Sequence, residues 1–171
     1  MDYEFIAGPH GRCASVATGM KRVRPDKTVY VHAGDGCSYV IGLAETSYAA
    51  IRDVPITMIV VNNGIFGMTG GQMAPTTLIG QRATTAPMGR TEELHGKPIR
   101  VAEMLSTLDG LVYAARVCVA DIPNIVKAKK AIKKAFTKQM NNEGFTFVEV
   151  LCACPTNWGM TTLDCLLYTS P

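Results

Sequence analysis

Apolar residues run unbroken through PITMIVVN (residues 55–62), the pattern of a strand covered on both faces rather than one with a wet side. The shorter β-branched stretch KTVYVHA (27–33) precedes it, and residues 112–119 and FTFVEVL (145–151) read as strands further along. Between these runs the period becomes helical. Small and apolar residues at helical spacing predict a helix over 11–23, which Pro25 ends. Residues 39–52 predict a second helix, whose Gly42, Ala44, Ala49 and Ala50 allow close packing on a sheet. Helices are also expected over 99–108 and over 123–140, the latter opened by Asp121 and Pro123. Residues 63–98, rich in Gly, Thr and Pro, read as one long loop. Alternating strands and helices with apolar strands predict a mostly parallel sheet with helices on both faces, a three-layer α/β/α fold.

Composition adds bounds. A chain of 171 residues suits one domain with a sizeable core, and 47% apolar content with 16 glycines fits an α/β protein. The net charge of +3 gives no reason to expect a nucleic-acid partner. No run reaches the ~18 apolar residues of a membrane span, and the N-terminus shows no signal-peptide pattern. A cytoplasmic protein is expected. The six cysteines are expected to be reduced thiols rather than a disulfide framework, because the chain is long enough to build its own core.

Candidate chemistry lies at the ends of two strands. Gly34-Asp35-Gly36 follows the first and is expected to form its turn; Asn62-Asn63 follows the second. In an open parallel sheet, ligands bind outside the carboxyl ends of the strands. Gly36 leads into a helix, whose N-terminal N–H groups favour an anion such as phosphate. A carboxylate, an amide oxygen and backbone carbonyls are the hard donors that magnesium takes when it bridges a protein to a diphosphate. Either pair alone is also an ordinary turn. A dinucleotide fingerprint is excluded, since Tyr39 stands where its third glycine belongs, and there is no P-loop.

Gly-Asp-Gly, some two dozen residues, then Asn-Asn resembles the thiamine diphosphate-binding motif. HGRCASVATGMKRVRPD (10–26), NNGIFGMTGGQMAPTT (62–77), GRTEELHGKPIRVAEMLSTLDG (89–110) and CPTNWGM (154–160) resemble the β subunit of 2-oxoacid:ferredoxin oxidoreductases, of the 2-oxoglutarate and 3-methyl-2-oxobutanoate types. The resemblance implies a thiamine diphosphate-binding domain over 7–160, with Asp35, Asn63 and the Ile65 carbonyl on magnesium (Mg2+) and with Asp35, Gly36, Cys37, Asn63, Ile65, Met68 and Thr69 around the cofactor. It implies oxidative decarboxylation of a 2-oxoacid, with coenzyme A taking the acyl group and ferredoxin the electrons. It also implies a catalytic α subunit that supplies the activating glutamate, with γ and δ subunits as further candidates. The chain itself offers no clear general base. His10 is the candidate for a polar contact near the active centre, His32 is expected in the core or at the rim, and His95 carries no assignment.

Against that family pattern, Cys37 replaces a second aspartate and is expected to be a neutral, buried thiol. Cys154 matches one ligand of a 4Fe–4S cluster, but no upstream C-x-x-C is present, so the chain reads as an N-terminal truncation that holds no cluster by itself. Residues 161–171 depart from the pattern and read as a tail that is either foreign or short and divergent. The alternatives within reach are a non-oxidative thiamine enzyme of the acetolactate synthase or decarboxylase type and a non-catalytic magnesium-diphosphate binding fragment. On the helix at 123–140, Ile125, Ala128, Ile132 and Phe136 form the expected apolar stripe. Its lysines make either a solvated face or a docking site for acidic ferredoxin.

Overall fold

The computed structural model describes residues 4–154 together with Gly159, Thr161 and Asp164. The expected domain end near residue 160, most of the tail, Trp158 and Cys165 lie outside these residues. Four strands, β1 (Tyr30–Gly34), β2 (Thr57–Asn62), β5 (Leu111–Cys118) and β6 (Phe145–Leu151), form one sheet in the order β1-β2-β6-β5. All three pairings are parallel, as the apolar runs predict. Two short strands between them, β3 (Ile65–Phe66) and β4 (Gln72–Met73), pair antiparallel as a separate hairpin.

Helices cover both faces. On one lie α1 (Cys13–Val23), α2 (Leu43–Ile51) and α4 (Val101–Leu105), and a single turn, α3 (Glu92–His95), precedes α4 in the chain. Their Ala14, Ala17, Ala49, Ala50, Val101 and Leu105 join Ile56, Met58, Val60, Phe145 and Phe147 of the sheet in one buried cluster. On the other face lies α5 (Ile122–Met140), which packs on β5, β6 and β2. Asp121 caps it by accepting from the Asn124 N–H at 2.7 Å.

The buried face of α5 differs from the expected stripe. Ala128, Ala131, Ala135 and Gln139 are the buried residues, whereas Ile125 is 36% exposed. Polar groups of the sheet select this face: Gln139 Oε1 accepts from the Thr57 hydroxyl at 2.8 Å, and its amide donates to the Val29 and Pro55 carbonyls. Alanines let the helix come close enough for Gln139 to reach them. Burying these amides and hydroxyls is tolerable because each finds a partner.

Other elements also depart from expectation. The anticipated helix over 39–52 splits into a π-helical turn, Gly36–Ile41, and α2, with Gly42 between them. A Cβ on Gly42 would lie 2.5 Å from the Gly11 carbonyl oxygen, so this close approach of the α1 and α2 entries requires glycine. The expected turn at 34–36 is absent, because Gly34 ends β1 and Asp35 is already in helical conformation. The helix expected over 99–108 is only Val101–Leu105, and the loop from 63 contains the β3–β4 hairpin and α3. His32 is exposed on the edge strand β1, not in the core. Among the described residues no helix is long and apolar enough to cross a membrane.

Candidate cofactor and metal site

β1 and β2 are neighbours in register, with Gly34 opposite Val61, so their carboxyl ends emerge side by side. The residues that follow, Asp35 and Asn62 to Gly64, meet there. Asp35 is 3% exposed, and its Oδ2 accepts from the Gly64 N–H at 3.1 Å and from the Thr76 hydroxyl at 2.5 Å. The Phe66 ring of β3 lies across Gly36; a Cβ there would fall 2.3 Å from a ring carbon, so only glycine lets the hairpin close over the strand end. Asn62 Oδ1 accepts from the same Gly64 N–H at 3.1 Å, and Asn63 Oδ1 accepts from the Ile65 N–H at 3.2 Å. The Thr77 hydroxyl donates to the Gly64 carbonyl at 2.5 Å.

The electrostatics of Asp35 are those of a buried anion among neutral donors. Burial pushes its carboxyl above the usual carboxylate range, and hydrogen bonds from Thr76, Gly36 and Gly64 oppose the shift without cancelling it. An ionised carboxylate held this way carries a desolvation penalty of about several kcal/mol that a nearby cation would offset. Among the described residues, no cluster of three or more His, Cys, Asp or Glu side chains is arranged as a metal cage. The donors at this rim are one carboxylate, the Asn63 amide and backbone carbonyls. That set fits a hard divalent cation which takes its remaining ligands from a diphosphate and water.

The other residues singled out in the sequence lie around this centre. Gly36 is buried; Ile65 is 2% exposed. Cys37 is half-buried rather than fully so, accepts from the Gly11 N–H at 3.1 Å, and has its sulfur 3.9 Å from Cys13 Sγ. Met68 is 95% exposed on this chain. Thr69 is also exposed, and its hydroxyl donates to Gln72 Oε1 at 2.6 Å. Cys154 is half-buried, with its sulfur 3.4 Å from where a Cβ on Gly67 would stand. Beside it, burial, and then the charges of Asp35 and Cys154, push the Cys152 thiol up to about 11. His10 is exposed in the turn before α1. His95 Nδ1 accepts from the Thr91 N–H, a local contact.

Sequence reasoning missed Thr76, Thr77 and Arg90. Arg90 is 4% exposed and has no carboxylate partner in the structure's ion pairs among the described residues. Its guanidinium donates instead to the carbonyls of Ala74, Pro75, Thr77, His95, Gly96 and Lys97 at 2.8–3.2 Å. It thereby fixes the loop that presents Thr76 to Asp35. A buried arginine with only carbonyl acceptors has no sequence signature, although the Thr-Thr pair after Pro75 was a usable turn signal.

Residues 1–150 match the family model described as thiamine pyrophosphate enzyme, C-terminal TPP binding domain. The chain is 45% identical over 148 residues to the ketoisovalerate oxidoreductase subunit VorA of Methanothermobacter thermautotrophicus, covering 86% of this chain and 31% of that one. It is 36% identical over 168 residues to the 2-oxoglutarate synthase subunit KorB of Archaeoglobus fulgidus, covering 98% of this chain and 58% of the relative. The chain thus spans between about a third and three-fifths of the length of these relatives. Among solved structures, a 2-oxoglutarate:ferredoxin oxidoreductase from Magnetococcus marinus, with 2-oxoglutarate, coenzyme A and succinyl-CoA bound, superposes with a TM-score of 0.70 at 29% identity. That superposition covers 93% of this chain and 50% of the other. By its sequence and by the parallel sheet whose strand ends carry this site, the chain belongs to the thiamine pyrophosphate enzymes, as their C-terminal TPP-binding domain.

Proposed function

We propose that the chain is the diphosphate-binding part of a cytoplasmic 2-oxoacid:ferredoxin oxidoreductase. The observation that carries the proposal is the buried Asp35 carboxylate at paired strand ends, surrounded by neutral donors, in a chain similar to relatives named ketoisovalerate oxidoreductase subunit VorA and 2-oxoglutarate synthase subunit KorB. In this reading Asp35, the Asn63 amide and the Ile65 carbonyl hold magnesium. Gly36, Cys37, Met68 and Thr69 flank the diphosphate. The chain's own work is to bind and orient. The Gly64 and Thr76 donors hold the Asp35 carboxylate in place, the Phe66 ring shields Gly36, and Arg90 keeps the loop after β4 from opening. Thiamine diphosphate, when bound, supplies an electron sink for decarboxylating a 2-oxoacid.

Met68 and Thr69 face outward on this chain, which suits a site completed by a second subunit. The reading therefore includes a catalytic α subunit, and γ and δ subunits where the enzyme has them. Coenzyme A takes the acyl group and ferredoxin the electrons. A 4Fe–4S cluster needs four thiolates, and the described residues do not bring four together. Cys154 serves as a cluster ligand only with three more from outside these residues.

The test is to co-express the full-length subunit with its genomic neighbours and assay 2-oxoacid- and coenzyme A-dependent reduction of a viologen dye. Dye reduction coupled to acyl-coenzyme A formation supports the proposal. Carbon dioxide release with joining of two oxoacids, and no dye reduction, replaces it with an acetolactate-type enzyme. Cofactor binding without turnover in the assembled complex leaves a non-catalytic binding module.

A further inference from the structure

Glu149 is the one acidic residue of FTFVEVL, and it is 1% exposed in the middle of the sheet. Its neighbours in register are Val60 on β2 and Arg116 on β5. Oε1 accepts from the Tyr39 hydroxyl at 3.0 Å and from Asn62 Nδ2 at 2.9 Å; Oε2 accepts from Arg116 Nε at 2.5 Å. Arg116 in turn forks onto Glu103 at 2.6 and 2.7 Å. Tyr39 belongs to the π-helical turn that begins directly after Asp35, and Asn62 directly precedes Asn63. One carboxylate oxygen therefore grips both halves of the split rim motif. From Asn62 the connection continues, because its Oδ1 and Asp35 Oδ2 accept from the same Gly64 N–H.

We infer that Glu149 is a positioning residue for the magnesium-diphosphate site, an inference that rests on the reading of the rim proposed above. Its role is not to touch the ion. It sets the Asn62 side chain so that the amide oxygen faces Gly64, and it anchors the π-helical turn so that Asp35 stays under the loop. A carboxylate is needed because three donors converge and two oxygens must both accept. A glutamine has one acceptor oxygen. In Glu149→Gln the charged Arg116 competes with Tyr39 and Asn62 for it, and an amide N–H is turned toward whichever donors lose. Residues that orient metal ligands change metal affinity by about 10–100-fold when replaced.

The experiment uses the full-length subunit in its assembled complex and compares wild type, Glu149→Gln, Tyr39→Phe and Thr57→Val. Thiamine diphosphate binding is followed calorimetrically while magnesium is titrated, well below every variant's melting temperature, which is measured separately without cofactor. Glu149→Gln is expected to raise the magnesium concentration for half-saturation by about tenfold or more, and Tyr39→Phe to raise it by less. Thr57→Val breaks the buried contact to Gln139 on the opposite face of the sheet, so it should lower the melting temperature and leave the magnesium requirement unchanged. The inference is overturned if Glu149→Gln lowers only the melting temperature, or if Thr57→Val shifts the magnesium requirement equally. Should Glu149→Gln fail to assemble, an unchanged requirement in Tyr39→Phe overturns it. If the wild-type complex binds no thiamine diphosphate with magnesium, the rim reading itself fails and takes this inference with it.

Discussion

Thr76 Oγ1 donates to Asp35 Oδ2 at 2.5 Å across 41 residues of chain, joining the loop after β4 to the end of β1. Both residues are buried, and a hydrogen bond to a charged group contributes about 1.5–3 kcal/mol. Thr76→Val keeps the shape and removes the donor. It is expected to lower stability by about 1.5–3 kcal/mol, read from the urea midpoint at neutral pH with an unchanged slope. An unchanged midpoint would mean that Thr76 does not support Asp35.

Arg90 makes a stronger case for the same loop. Removing its guanidinium takes a donor from six carbonyls. Those of Ala74 and Pro75 keep backbone partners in the Thr77 and Ile99 N–H groups, and those of Gly96 and Lys97 can turn to water. The cost therefore falls on the Thr77 and His95 carbonyls, at about 1–3 kcal/mol for each buried group left without a partner. Arg90→Leu is expected to destabilise by about 3 kcal/mol or more and to open residues 74–97 to limited proteolysis. Arg90→Lys, with three donors in place of five, should fall between the two. Proteolysis elsewhere, with the loop still resistant, would contradict the assignment.

Much of this was legible in the sequence, and the reasons differ by element. The interior strands β2 and β6 could be read because parallel strands covered on both faces become apolar runs, the edge strand β1 because it is β-branched, and the helix at Ile122–Met140 because it carries its own start signals. Asp35 and Asn62-Asn63 could be placed on one rim because that follows from strand direction alone. The π-helical turn could not, since it depends on Phe66 packing over Gly36 and on Gly11 meeting Gly42. The buried stripe of α5 shares Ala128 with the expected one but turns through Ala131 and Ala135 to Gln139, because Gln139 finds partners in Val29, Pro55 and Thr57 that no local pattern encodes. Glu149 has no local signature for the same reason: its partners lie 110, 87 and 33 residues away.

The outer end of the Glu149 network gives a pH prediction. The Arg116 fork holds the Glu103 carboxyl below the usual carboxylate range. Its folded pKa is thus lower than its unfolded value of about 4.3. The contribution is fully present above that unfolded value and is lost as pH falls through the folded one. Glu103 is half exposed, so water screens the pair and the effect stays below about 1 kcal/mol. Glu103→Gln should melt lower than wild type at pH 6, and the gap should close as the pH is taken to 3. A gap that is constant with pH would show that the charge of Glu103 is not what matters.

The central claim is that Asp35 holds a magnesium-bound diphosphate at the paired ends of β1 and β2. Its most direct test is calorimetric titration of thiamine diphosphate into the assembled enzyme, with and without magnesium, for wild type and Asp35→Ala. The account predicts magnesium-dependent binding in the wild type and its loss in Asp35→Ala, with the circular dichroism spectrum unchanged. Equal affinity and equal magnesium dependence in the two proteins would contradict it.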